Sequence, residues 1–245
     1  MAVLVTRPHP DDEATAAGLR ARGFEVLRAP MLRFEPVAFN EDMDARYGAV
    51  IVTSANALRG LTPHLKSHRL LELPLFAVGE QTATAARHAG FTHVISAHGD
   101  ATALRDLVLA RMKAKELKKG STLLYLAGAD LASDLAGELG EHGLRVVTQT
   151  TYRMLPVASL PREVSDAFAA NEVEAVLHYS RRSARAFLEA ARAAGVEISA
   201  LAIPQCCISA AVAAVIRDAG ATQVMVASSP DENALFEALG RALRP

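Results

Sequence analysis

Cysteine is scarce in this chain: there are two among 245 residues, and they are neighbours, Cys206 and Cys207. Adjacent thiols make no spaced disulfide framework and no metal-ligand pattern, which excludes a crosslinked secreted scaffold and suits a reducing compartment. Net charge is nearly absent too. Lys and Arg number 26 against 27 Asp and Glu, so the balance of -1 gives no global basic field of the kind duplex nucleic acid requires. Any anion site has to be local. Long apolar runs are missing: residues 200–216, the most apolar late stretch, are broken by Pro204, Gln205 and Ser209 and fall short of the roughly 20 residues a spanning helix needs. The opening MAVLVTRPHPDDE has neither a signal h-region nor a transit-peptide pattern, so the expected location is the cytoplasm, without membrane attachment. After the first apolar run the sequence reads TRPHPDD where a dinucleotide fold carries GxGxxG, and no Walker loop or GxSxG elbow occurs, which removes the usual support for nucleotide binding and serine hydrolysis.

What is present is a globular composition, 51% hydrophobic and 22% charged, in a length that fits one large or two small domains. Short Val/Ile/Leu runs alternate with Ala/Leu/Arg-rich segments of helical period, the βαβα signature of a parallel sheet covered by helices. In the first unit, residues 3–5 read as a buried strand, Asp11 and Asp12 as acids at a helix start, and Gly23 as the stop after Leu19; Val26 and Leu27 open the next strand. The chain also repeats itself. Residues 122–154 realign on 3–34, pairing Leu4 with Leu124, Leu19 with Leu139, Gly23 with Gly143, Val26 with Val146 and Arg33 with Arg153. Further on, Val50 pairs with Val176, Ser54 with Ser180, Gly79 with Ser209, Gly90 with Gly220 and Val94 with Val224. Two similar α/β halves follow.

The proline-flanked stretches PMLRFEP at 30–36 and TTYRMLP at 150–156 each follow a strand–helix–strand unit. Run side by side as connectors, they make the first domain discontinuous: residues 1–33 with 156–245 form one domain and 37–149 the other. The charge run KAKELKK at 113–119 reads as a solvated helix end and not as a nucleic-acid site.

Four strand-to-helix junctions draw attention, because a helix N-terminus offers unpaired N–H groups and a positive dipole end to carboxylates or phosphates. They lie around Ser54, Gly79, Ser180 and Ser209, all at the carboxyl ends of predicted strands, the edge where open parallel sheets bind ligands. The same serines read equally as N-caps worth about 1 kcal/mol each. Arg7, Arg33, Arg153, Arg181 and Arg182 stand at strand ends or in the connectors, where guanidinium forks grip carboxylates. Arg181 and Arg182 are the stronger pair, since cations at a helix N-terminus oppose the dipole and call for a compensating anion. His64 and His68 are four residues apart, yet no acid between them and no third ligand supports a metal site. Cys206 and Cys207 sit in an apolar strand, where inert buried thiols are expected.

Taken in order, VTRP at 5–8, VTSANAL at 52–58, AVGEQTA at 77–83, TTYR at 150–153 and YSRRSARAF at 179–187 resemble the uroporphyrinogen-III synthase family over essentially the whole chain. The resemblance implies two flavodoxin-like α/β domains with parallel sheets, the first discontinuous, joined by a two-stranded connector. It implies the cofactor-free and metal-free cyclisation of hydroxymethylbilane to uroporphyrinogen III, with inversion of the terminal pyrrole ring and loss of water. It also implies a cytoplasmic monomer whose partners are this linear tetrapyrrole and, transiently, the enzyme that supplies it. Carried onto this chain, the family's catalytic candidate is Tyr152, and its substrate-binding positions are Arg7, Ser54, Ala55, Asn56, Gly79, Gln81, Thr82, Ser180, Arg181, Ser183 and Ser209. Tyr152 reads equally as an interfacial aromatic that packs the connector. The chain departs from the family pattern at Ala127, where many members have Arg, and at Ala211 and Val212, where many have a Thr pair. Those departures keep open a second reading, a two-lobed module that binds an anionic small molecule such as a tetrapyrrole without chemistry.

Overall fold

The computed structural model describes residues 1–38, 46–61, 68–117 and 120–243. His64, Lys118 and Lys119 lie outside the described residues, as does the side chain of His68. In chain order the elements are β1 (Ala2–Val5), α1 (Asp11–Arg20), β2 (Glu25–Arg28), β3 (Leu32–Pro36), β4 (Tyr47–Val52), α2 (Ala55–Leu61), α3 (His68–Leu71), β5 (Leu75–Ala77), α4 (Glu80–His88), β6 (Val94–Ser96) and α5 (Ala101–Lys113). There follow β7 (Thr122–Gly128), α6 (Leu135–Glu141), β8 (Arg145–Pro156), α7 (Arg162–Ala169), β9 (Val173–His178), α8 (Arg181–Ala193), α9 (Glu197–Ala202), β10 (Gln205–Cys207), α10 (Ala210–Asp218), β11 (Val224–Val226) and α11 (Glu232–Ala242).

These strands form two sheets, ordered β11-β10-β9-β1-β2 and β6-β5-β4-β7-β8-β3. Read in those directions, the first five strands correspond one to one with the internal repeat: β1 to β7, β2 to β8, β9 to β4, β10 to β5 and β11 to β6. The sequential β4 to β8 of one sheet is thus a permuted version of the other, in which the chain supplies β1 and β2 first and β9 to β11 last. Matched glycines end matched helices. Gly23 and Gly143 have φ of +87° and +84°, and Gly90 and Gly220 both have +102°, the left-handed region where a side chain is strained.

Within each sheet the repeated strands pair in parallel. Their apolar runs are continuous because both faces are covered. In the second sheet Val50, Val52, Leu124 and Leu126 pack with α2 and α4 through Ala57, Leu58, Leu61 and Ala83. Ala49, Ile51, Leu123 and Tyr125 point the other way, onto Leu104, Val108, Leu135 and Leu139 of α5 and α6. In the first sheet Val3, Val5 and Leu177 meet Leu19 of α1 and Leu235 and Leu239 of α11. Cys206 and Cys207 are fully buried there, and desolvation pushes both thiols up to about 12.

By contacts the chain divides into a unit of residues 1–34 with 155–245 and a unit of 35–154. The second proline-flanked stretch continues the strand before it: β8 runs unbroken for 12 residues through Thr150, Tyr152 and Pro156. It stays extended because its partners change along its length, with β7 on one side as far as Tyr152 and β3 on the other. The N–H of Val37 donates to Thr151 (2.9 Å) and that of Val157 to Met31 (3.0 Å), so β3 and β8 run antiparallel.

Candidate active site

Parallel strands put their carboxyl ends on one rim of each sheet. In the second unit, Val52, Ala77, Ser96 and Leu126 share one row of the ladder. Two residues beyond that row stand Ser54, Gly79 and Gly128. Ser54 precedes α2, and its Oγ accepts from the Asn56 N–H at 3.2 Å, so Ser54, Ala55 and Asn56 form one short turn at the helix start. Gly79 is the N-cap of α4 in an extended conformation, and among the described residues no side-chain hydrogen bond caps the helix. The first N–H groups of α4 are therefore open to an anion or to water. Gln81 is exposed in that first turn, whereas Thr82 is turned into the core and buried.

Tyr152 reaches the same rim from β8. A bulge between Ala127 and Gly128 shifts the register so that Tyr152 pairs with Gly128, and the Ala129 N–H donates to its carbonyl at 2.9 Å. Its half-buried ring packs on the Val52, Ala57 and Leu126 side of the sheet. Thr151 beside it is fully buried, with Oγ1 donating to the Ala57 carbonyl of α2 at 3.0 Å. A second phenol approaches from the opposite face: the Tyr125 hydroxyl lies 2.9 Å from Thr53 Oγ1. Burial holds the Tyr125 hydroxyl above the ordinary phenol range; the Thr53 bond works against that rise and charge on Tyr152 adds to it.

In the first unit the matching row is His178, Cys207 and Val226, and two residues on stand Ser180 and Ser209. Ser180 caps α8, its Oγ accepting from the Ser183 N–H at 3.0 Å. Ser183 is fully buried, and its hydroxyl is spent on the Ser180 carbonyl at 3.1 Å. Arg181, exposed, opens the helix, followed by Arg182. Ser209 occupies the N-cap position of α10, but its side chain makes no cap bond, so the serine-cap reading does not hold there: an extended backbone alone starts the helix. Arg7 is not a free fork. Its Nη1 donates to Glu232 Oε1 at 2.9 Å, Nη2 lies 3.5 Å from Asp11, and the guanidinium stacks 4.9 Å from the Tyr179 ring. Burial raises the Tyr179 hydroxyl well above the ordinary phenol range, and the Glu232 charge pushes in the same direction. In the connectors, exposed Arg153 lies 3.6 Å from Glu35, and Arg33 is exposed on β3.

The carboxyl-end rim of the second sheet thus carries Ser54, Ala55, Asn56, Gly79, Gln81 and Tyr152, with Thr82 buried behind it, and that of the first sheet carries Arg7, Ser180, Arg181 and Ser209, with Ser183 buried beneath. Tyr125, Gly128 and Glu232 stand outside the sequence motifs, whereas Thr53 and Tyr179 stand inside them beside the serines. The repeat held part of the signal, since its offsets align Thr53 with Tyr179 and Ala127 with Arg7. Ala127 is buried, and where the family pattern places a Thr pair, Ala211 is exposed and Val212 buried. Among the described residues no group of three or more His, Cys, Asp or Glu is placed to hold a metal ion, and no helix is long and apolar enough to cross a membrane.

The model of one protein family, described as uroporphyrinogen-III synthase HemD, matches residues 13–237. No curated protein gives a significant match. Among solved structures, uroporphyrinogen-III synthetase from Helicobacter pylori is 19% identical over 99% of each chain, with a TM-score of 0.66. A mutant uroporphyrinogen III synthase from the extremely thermophilic bacterium Thermus thermophilus is 20% identical over 99% of each chain, with a TM-score of 0.58. At such identity these likenesses concern the fold.

Proposed function

The chain belongs to the uroporphyrinogen-III synthase family, and on that premise we propose that it is an active member, closing hydroxymethylbilane into uroporphyrinogen III with inversion of the terminal pyrrole ring and loss of one water. In the reaction the hydroxymethyl C–O bond breaks, its electron pair leaves with oxygen, and a donated proton completes the water. The pyrrole nitrogen supplies electrons to the carbon left behind, giving an azafulvene cation that the terminal ring attacks through the ring carbon already bearing its methylene bridge. The old bridge bond then breaks with its electrons returning to the ring, re-forms at the other alpha carbon with the ring turned over, and the proton on that carbon leaves to water. The protein's tasks are therefore one proton at the departing oxygen and control of which ring carbon meets the cation.

Tyr152 is assigned the proton. Its phenolic O–H is a hydrogen-bond donor that can pass a proton to a leaving hydroxyl. The observation that carries the reading is the place of this phenol on the rim it shares with Ser54 and the uncapped start of α4. The acetate and propionate groups of the substrate suit the open N-termini of α4 and α10 and the exposed Arg181. We assign Ser54, Ala55, Asn56, Gly79, Gln81, Ser180 and Ser209 to substrate placement, through backbone N–H groups at the helix starts. Arg7, Thr82 and Ser183 act from behind, holding the rims in shape. The protein works as a cytoplasmic monomer, with residues 1–33 and 156–245 as one domain and 37–149 as the other.

Turnover of freshly prepared hydroxymethylbilane, with type I and type III isomers separated, tests the assignment. Type III product at a rate proportional to enzyme is expected; spontaneous type I product alone, at ample enzyme, overturns it. Ala127 and the engaged Arg7 leave fewer free guanidinium groups than the family pattern provides, which favours one competitor, a module that binds tetrapyrroles without converting them. Tetrapyrrole binding with no type III product would identify that module.

A further inference from the structure

Gly128 ends β7 directly opposite Tyr152, and its backbone is outside the left-handed region, so conformation does not call for glycine there. Space does. A Cβ placed on Gly128 would lie 2.7 Å from Cζ of Tyr152, 2.9 Å from its hydroxyl oxygen and 3.0 Å from Cε1, closer than side-chain atoms pack. All three atoms belong to the hydroxyl end of the ring.

Resting on the donor role proposed for Tyr152, we propose that Gly128 is a positioning residue: its bare Cα is the seat on which the Tyr152 phenol lies, and it sets where the hydroxyl points. The main chain beneath Tyr152 is held from both sides. Thr151 bonds to Ala57 through its side chain, its carbonyl accepts from Val37, and the Tyr152 carbonyl accepts from Ala129. A further brake is Gly60 of α2, where a Cβ would come within 2.2 Å of the Thr151 carbonyl oxygen, so helix and strand are already in closest contact. A methyl group at Gly128 therefore moves the ring and not the strand. Relieving the contact takes a displacement of about 1 Å at the hydroxyl, a misplacement that costs a proton transfer up to about 10²-fold.

Four proteins test this: wild type, Gly128→Ala, Tyr152→Phe and the double variant, each also made with 3-fluorotyrosine. The chain has four tyrosines, and Tyr152→Phe assigns the resonance of interest by its loss. In Gly128→Ala the fluorine resonance of Tyr152 shifts while those of Tyr47 and Tyr179 stay in place. With hydroxymethylbilane, kcat falls by about 10-fold to 10²-fold with KM held within about twofold, and the double variant is no slower than Tyr152→Phe. An unmoved Tyr152 resonance overturns the proposal, and so does a double variant in which the two losses multiply. If Tyr152→Phe by itself keeps the wild-type kcat, the donor role fails, and the resonance still decides whether Gly128 seats the ring. Should Gly128→Ala not fold, Tyr152→Ala is added to it. Recovered folding then locates the clash in the ring, and continued failure means the strand itself needs the glycine and overturns the proposal.

Discussion

Acid should destabilise the first unit through His178, and the size of the effect follows from its surroundings. His178 ends β9, is fully buried, and meets Phe187 edge-on with ring centroids 5.3 Å apart. Gln205 donates through Nε2 to the carbonyls of Ala200 (2.7 Å) and Ile203 (2.9 Å), which leaves its Oε1 facing His178 Nε2 at 2.8 Å. The imidazole therefore donates from Nε2, and Nδ1 is a buried lone pair with no partner among the described residues. Desolvation lowers the pKa from 6.5 to about 4, outweighing the Gln205 bond that raises it. Since the folded pKa lies below the unfolded one, the unfolded chain takes up its proton first. Stability is then fully present above 6.5, declines by about 1.4 kcal/mol per pH unit below it, and levels off under pH 4 at a loss of about 3 kcal/mol. Urea unfolding followed by circular dichroism between pH 7.5 and 4, on wild type and His178→Gln, isolates the contribution, because exposed carboxylates cancel in the difference. The variant should be less stable at pH 7.5 by about 1 to 3 kcal/mol, from lost packing and a disturbed Gln205 bond, and the gap should close on acidification. A gap that stays constant across this range refutes the reasoning.

Tyr152→Phe should lower kcat by about 10²-fold, near the low end for general acids because the pyrrole nitrogen already drives the hydroxyl out, with the thermal midpoint little changed. Gly60→Ala should cost about 1 to 3 kcal/mol in urea unfolding, since the new Cβ meets backbone that cannot move aside. Ser180→Ala should lose about 1 kcal/mol with its cap and, in steady-state assays, raise KM before it lowers kcat, while Ser209→Ala, which has no cap bond to lose and keeps its backbone N–H, should leave stability and KM unchanged. Cys206 and Cys207 should resist an aromatic disulfide reagent in the native protein and react in urea, because burial holds both thiols near 12.

Much of this protein was legible along the chain because the physics involved is local. Strands buried on both faces have to be largely apolar, so the AVLV, AVIV, LLYLA and AVL stretches of β1, β4, β7 and β9 stand out. A helix that stops in the left-handed region needs glycine, so Gly23, Gly90, Gly143 and Gly220 punctuate both halves at the same places. Helix starts advertise themselves through Ser180 and Gly79, which brought the rim residues into view one at a time. Tertiary structure decided which of those groups remain available. Arg7 and Glu232 are 225 residues apart and still share a salt bridge, and nothing near either residue in sequence announces it. Ser183 looks like Ser180 along the chain, yet its place on the inner side of α8 buries its hydroxyl against Ser180. Gly128 has an ordinary backbone and becomes necessary only once a bulge brings Tyr152 across from β8. Periodicity, caps and backbone dihedrals involve neighbours within a turn or a strand, so sequence alone can specify them. Ion-pair partners, burial of a single hydroxyl and the clearance beside a ring depend on strand register and on which helix covers which face, and those exist only after the chain has packed.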